Sequence, residues 1–169
     1  SKEIQTSRLE TIYYLDSKKN EKIILLTTLN GIIQKTLPIK EIKKNLITIS
    51  KKEKLKIDKF LNLLIKLGYE RTSIVRDKSE FAVRGSIIDI FLTQFNNPIR
   101  IDLFDNDIES IFEFDPITQK RTSKSDVDSF VIKPSSELLI DKENLQKFRV
   151  NFRSLFLDYR KSLIYELFS

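Results

Sequence analysis

From Tyr69 to Phe114 apolar residues recur at roughly every second position, and this period constrains the chain more than any other feature. Phe81 and Val83, then Ile88 and Ile90, then Ile99, Ile101 and Leu103, then Ile108, Ile111, Phe112 and Phe114 alternate with polar neighbours. Successive side chains of a strand point to opposite faces, so this pattern marks strands with one buried face. Turn-forming groups separate the runs: Asp77-Lys78-Ser79, Gln94 to Pro98, Asp105-Asn106-Asp107 and Asp115-Pro116. Short strands joined by short turns predict an antiparallel meander. Val127 to Ile132 reads as its last strand.

The flanks have a different period. Ser7 and Glu10 have capping-box spacing before Ile12, Tyr13 and Leu15, which predicts a first helix. The continuous run Ile23-Ile24-Leu25-Leu26 suits a strand buried on both faces, as in a parallel sheet. A short helix is expected over Leu29 to Lys35, stopping before Pro38, and another strand over Leu46 to Ile49. Asp58 is a candidate N-cap for a helix carrying Phe60, Leu61, Leu64, Ile65 and Leu67, and Gly68 stands where a left-handed residue would end it. After Pro134 the pattern is helical again, with Asp141 capping Leu145, Phe148, Phe152 and Leu155, and Asp158 opening a helix with Leu163, Ile164 and Leu167.

Several chemistries are excluded by composition. The chain has no Cys and no His, so thiolate metal sites, disulfides and imidazole bases are absent. Its three glycines, Gly31, Gly68 and Gly85, cannot build a glycine-rich phosphate loop. Asp102, Asp105, Asp107 and Glu109 cluster, but two of them fall in a hairpin turn, where Asp serves turn geometry. A net charge of +6 permits a nucleic-acid-binding module, although the lysines are scattered and form no stripe. No apolar run reaches the ~20 residues that a membrane span needs. The start, Ser-Lys-Glu-Ile-Gln, is no signal peptide, and the lack of an initiator Met points to a longer parent.

The densest signal lies between Gly68 and Thr118. It runs Gly68-Tyr69-Glu70-Arg71, then Phe81 to Phe91 (F-A-V-R-G-S-I-I-D-I-F), then Pro98 to Ile111 (P-I-R-I-D-L-F-D-N-D-I-E-S-I), then Phe114 to Gln119 (F-D-P-I-T-Q). This order of motifs resembles the UvrA-interaction domain shared by UvrB and the Mfd-type coupling factors of transcription and repair. Asp115 to Arg121 (D-P-I-T-Q-K-R) and the exit Pro134-Ser135-Ser136-Glu137 are closer to the coupling factors than to UvrB. Leu92, Leu103 and Asp105 stand where the family often has proline, phenylalanine and glycine.

The resemblance implies an α/β fold in which a β-rich antiparallel insert with one helix is flanked by pieces of a degenerate helicase-like domain. The expected boundaries are 1–45 and 132–169 for the flanking pieces and 46–131 for the UvrA-interaction domain. It implies that Arg84, Arg100, Phe104 and, more weakly, Arg71 contact UvrA. Gly68, Gly85, Asp89 and Pro116 are expected to be structural, with Asp89 the partner of an arginine. No residue is expected to be catalytic and no cofactor or metal to bind here. ATP and Mg²⁺ belong to the parent's motor region, and RNA polymerase and DNA are reached through other parts of a cytoplasmic bacterial protein. The alternative parents are UvrB and a basic nucleic-acid-binding protein. Parity supports an exposed site independently: Arg100, Asp102 and Phe104 share one face of a strand while Ile99, Ile101 and Leu103 share the other, so Arg100 is expected to face solvent.

Overall fold

A computed structural model describes residues 2–34, 36–122, 126–137 and 142–155, with side chains placed for 4–34, 36–122, 126–137 and 145–155. The chain divides into two units, Ser1–Glu137 and Leu138–Ser169. In the first, the elements run α1 (Lys2–Ser17), α2 (Leu29–Ile33), α3 (Ile39–Lys44), β1 (Ile47–Ser50), α4 (Ile57–Lys66), β2 (Glu70–Arg71), β3 (Glu80–Arg84), β4 (Ile87–Ile90), β5 (Ile99–Phe104), β6 (Asp107–Glu113) and β7 (Ser129–Ile132). The second holds α5 (Lys142–Leu155), where Phe148 and Phe152 stack one turn apart with ring centroids 5.7 Å from each other. The candidate cap Asp141 and the helix expected from Asp158 lie outside the described residues.

The period-two segment forms a five-stranded sheet in the order β2-β3-β4-β5-β6. Strands β3 to β6 are the expected antiparallel meander, and the short β2 joins its edge parallel to β3. Phe81, Ile88, Ile90, Ile99, Ile101, Leu103, Ile108 and Ile111 are all buried, so the alternation reports the core face correctly. Ile108 and Ile111 are three apart yet both buried, because a bulge sets Leu103 opposite Ile108 while Asp102 is opposite Ser110. Asp105 adopts φ +55 in the β5–β6 turn, the left-handed conformation that glycine adopts most readily and Asp tolerates better than most residues. The last strand departs from the meander. β7 leaves it and pairs antiparallel with β1 in a separate two-stranded sheet, Ile47 opposite Ile132. Strand periodicity says nothing about which partner a strand takes.

Helix α4 buries Phe60 and Leu64, with Leu67 just beyond its end, while Ile65 is exposed on the outer side. It starts two residues before the expected position. Lys56 is the N-cap and Asp58 lies inside the first turn, where its charge still favours the positive helix end. Gly68 at φ +89 ends the helix in a Schellman arrangement: its N–H donates to Ile65 O at 3.0 Å and the Tyr69 N–H to Leu64 O at 3.0 Å.

The N-terminal stretch differs most from expectation. α1 begins near Lys2, and Ser7 sits within it, its carbonyl accepting from Thr11 Oγ1 at 2.9 Å, so Ser7 is not a cap. The run Ile23 to Leu26 forms no strand. Ile24 and Leu26 are each 90% exposed, because no other described strand pairs with the run. Helix α2 is short and wholly exposed, capped by Thr28 Oγ1, and α3 occupies a stretch where sequence patterning shows no helix. α1 is anchored through buried Leu9 and through ion pairs of Asp16 with Lys43 (2.7 Å) and Arg8 with Glu137 (3.4 Å). Among the described residues no helix is long and apolar enough to cross a membrane.

Candidate protein-docking face

The face of the five-stranded sheet opposite the Ile88–Ile101–Ile111 core row carries the candidate residues. Two rows cross it. One is Ala82, Asp89, Arg100 and Phe112; the next is Arg84, Ile87, Asp102 and Ser110. Cross-strand partners point to the same side, so β3 and β5 each deliver one arginine to the carboxylate on β4 between them. Asp89 is 1% exposed. Its Oδ1 accepts from Arg100 Nε at 2.7 Å, and its Oδ2 accepts from Arg100 Nη2 at 2.9 Å and from Arg84 Nη2 at 2.6 Å. Arg100 thus grips both oxygens as a fork, the geometry that suits a planar guanidinium to a carboxylate.

Arg100 also stacks on the buried ring of Phe114, with Cζ 4.3 Å from the centroid. Its side chain is only 14% exposed, against 43% for Arg84. The hydrogen bond to Asp89, and after it the Asp89 and Asp102 charges, hold the Arg100 guanidinium above even its ordinary high pKa, opposed by burial. Arg100 thus lies on the face that strand parity predicts but is largely covered, against the expectation that it faces solvent. The carboxylate directly across the strand pair and the chain after β6 cover it. Arg84 keeps Nε and Nη1 without a partner among the described residues, so it can still donate outward.

The covering chain is the turn from Asp115 to Arg121. Asp115 Oδ1 accepts from the N–H of Ile117 (3.0 Å), the N–H of Thr118 (2.6 Å) and the hydroxyl of Thr118 (3.0 Å), while Gln119 N–H donates to Asp115 O at 2.8 Å. The Thr118 bonds come first in holding the Asp115 carboxyl below the usual carboxylate range. Pro116 supplies the carbonyl that accepts from Gln119 Nε2 at 2.8 Å. Gln119 Oε1 then accepts from Arg100 Nη2 at 2.8 Å and Arg84 Nη2 at 3.4 Å. Arg121 lies over Phe112 with Cζ 4.8 Å from the ring centroid, and bonds Asp126 at 2.8 Å. Asp126 is also paired with Lys51, and these two cations, Lys51 first, lower its pKa. Sequence reading gave Gln119 no role. The only signal was its place in D-P-I-T-Q, which cannot show that its amide reaches two arginines on other strands.

Phe104 is 72% exposed at the end of β5, on the Arg100 and Asp102 side by parity, and about 13 Å along the strand from Arg100 at the usual rise per residue. It is not on a loose tip. The hairpin beyond it is braced by residues 52–55, with Leu55 N–H donating to Asn106 O at 2.6 Å and Ile108 N–H to Glu53 O at 2.9 Å. Gly85, at φ +61, closes the β3–β4 turn next to Arg84 with open space where a Cβ would stand. Arg71 does not join the group. It is exposed, but it pairs with Phe81, whose side chain points to the core side, three positions along β3 from Arg84. The face therefore assembles Arg84, Arg100, Asp89, Gln119 and Phe104, and omits Arg71.

Residues 47–138 match the model of the UvrB interaction domain family. Over 163 residues, 96% of the chain, the sequence is 32% identical to the transcription-repair-coupling factor of Staphylococcus aureus (strain USA300). Over 159 residues, 94% of the chain, it is 33% identical to the transcription-repair-coupling factor of Haemophilus influenzae (strain ATCC 51907 / DSM 11121 / KW20 / Rd). The chain spans 14% of the length of each of these curated relatives.

Proposed function

The chain belongs to the UvrB interaction domain family, and from that membership and its likeness to transcription-repair-coupling factors we propose that it is the module by which such a factor docks UvrA. On this reading the parent recognises RNA polymerase stalled at a lesion, displaces it with an ATP-driven DNA translocase motor that lies outside this chain, and hands the site to excision repair in the bacterial cytoplasm. The chain itself contributes binding and no catalysis.

One observation carries the reading. An aromatic ring and a guanidinium with free donors stand on the same face of a rigid sheet, on the side away from its core. Aromatic and arginine side chains are the commonest anchors of protein interfaces, and a group already held in its binding rotamer loses little entropy on association. Asp89 and Gln119 hold Arg84 in this way. For Phe104 it is the backbone of the hairpin beyond it that is braced. The partner patch that fits is an apolar hollow with a carboxylate beside it.

In calorimetry of UvrA with the chain, Arg84→Ala and Phe104→Ala each weaken binding by about tenfold, or about 1.4 kcal/mol, within the range of interface anchors. Both side chains are substantially exposed, so the unfolding midpoint should stay near that of the parent. Wild-type affinity in both folded variants would rule out this face.

A further inference from the structure

We propose that the Asp115–Arg121 turn is a second element of this docking face, in which Ile117 is an apolar contact residue and Gln119 is a positioning residue that sets the direction of Arg84. The proposal rests on the docking function above and extends it to residues on a different element.

Three features of the turn support it. Its backbone is fixed by its own bonds: Asp115 ties Ile117 and Thr118, Gln119 N–H returns to Asp115 O, and the Asp115 N–H donates to Lys120 O at 2.8 Å. Gln119 holds φ +61, a left-handed conformation that non-glycine residues adopt at a cost. In that conformation the side chain turns back over the sheet, where its oxygen meets both guanidiniums and its nitrogen bonds Pro116 O. The acceptor is neutral. It orients the two arginines without adding negative charge, and so leaves their attraction for a partner carboxylate in place.

Ile117 is the third feature. It is 89% exposed at the crest of the turn, although the turn needs only its backbone N–H. Any polar residue would serve the turn equally well and hydrate better. Two peptide units separate its Cα from that of Gln119, at most about 7 Å, so it belongs to the same short turn as the residue that bonds both guanidiniums. Phe104 is exposed on the same side of the sheet by parity, about 13 Å along β5 from Arg100 at the usual rise per residue. Two exposed apolar side chains on the face that carries the arginines offer a partner apolar contact near its ion pair, and such contacts keep water from an interfacial charge pair.

The test measures UvrA affinity by calorimetry for the full chain and its Ile117→Asp, Gln119→Leu, Gln119→Glu and Arg84→Ala variants, with urea unfolding of each. Ile117→Asp is expected to weaken binding by about tenfold with an unchanged unfolding midpoint. Gln119→Leu, which keeps the volume but removes the acceptor, should weaken binding several-fold, and Gln119→Glu should not recover it, because a carboxylate there competes with the partner's carboxylate for the arginines and loses the donor to Pro116 O. The Gln119→Leu loss should vanish when Arg84 is already alanine, because a positioning residue acts only through the group it positions. Undiminished binding by Ile117→Asp, or an equal Gln119→Leu loss with and without Arg84, overturns the proposal while the docking function stands. Arg84→Ala and Phe104→Ala both at wild-type affinity would instead remove the docking function, and the turn's role with it.

Discussion

Arg100→Ala is expected to lower the stability of the Ser1–Glu137 unit by about 3 kcal/mol, the lower end of the cost of breaking a buried ion pair. Asp89 is 1% exposed, and its hydrogen-bond partners among the described residues are two arginines. Without Arg100 its Oδ1 has none, and Oδ2 keeps only Arg84. Water cannot readily take the place of the guanidinium beneath the Asp115–Arg121 turn. The Phe114 ring also loses its stacked cation. Asp89→Ala is expected to cost less, about 2 kcal/mol, because Arg84 can swing into solvent and Arg100 retains Gln119 and Phe114. The double variant should lose little more than Arg100→Ala alone, a coupling of about 2 kcal/mol. Urea unfolding followed by far-ultraviolet circular dichroism gives all four free energies. If the two single costs simply add, the pair contributes nothing specific.

That result bears on function. A loss of UvrA binding by Arg100→Ala must be measured where the variant is still folded, because the side chain stabilises the fold and also shapes the face. Arg84 and Phe104 report docking more cleanly. The salt bridges elsewhere on the surface, such as Lys18–Glu21 and Lys44–Glu41, join neighbours along the chain and are expected to contribute well under 1 kcal/mol each.

What the sequence made legible follows from the range of each signal. Alternation is local, and it placed β3 to β6 and their buried face correctly. Parity is local too, and it put Arg100 opposite Ile99 and Ile101. The solvent exposure assigned to Arg100 failed because exposure depends on Asp89, eleven residues away, and on Gln119, nineteen residues away. Nothing in the spacing of β5 reports either. The same limit explains Ile23 to Leu26. Four apolar residues in a row show that a segment can be buried on both faces, but not that strands are present to bury it. It also explains β7, whose alternation was read correctly and whose partner β1, 79 residues earlier at its closest register pair, was not (Ser50 opposite Ser129). Arg71 was grouped with the other arginines by motif, and the parallel register of β2 on β3 turns it to the other side.

Gly68→Ala should be the most damaging of the glycine substitutions, at about 3 kcal/mol, while Gly85→Ala should cost about 1 kcal/mol, the left-handed penalty alone. Both glycines have positive φ, +89 and +61, so both variants incur that penalty. Their surroundings differ. A Cβ at Gly85 meets nothing within 4 Å, whereas one at Gly68 would lie 2.3 Å from Ser136 Cβ and 3.0 Å from Ser136 N. The second of these is backbone, so no rotamer change relieves the clash, and the segment around Ser136 must move. That segment caps α4: Ser135 N–H donates to Leu67 O at 2.8 Å, its hydroxyl to the same oxygen at 3.3 Å, and Tyr69 Oη donates to Lys133 O at 3.0 Å. Displacing it breaks one or more of these buried bonds, at about 1 kcal/mol or more each, on top of the conformational penalty. Paired unfolding curves of the two variants provide the comparison. Equal losses would mean that the exit segment yields freely, and the close seating of Ser136 on Gly68 would then not hold the family domain closed.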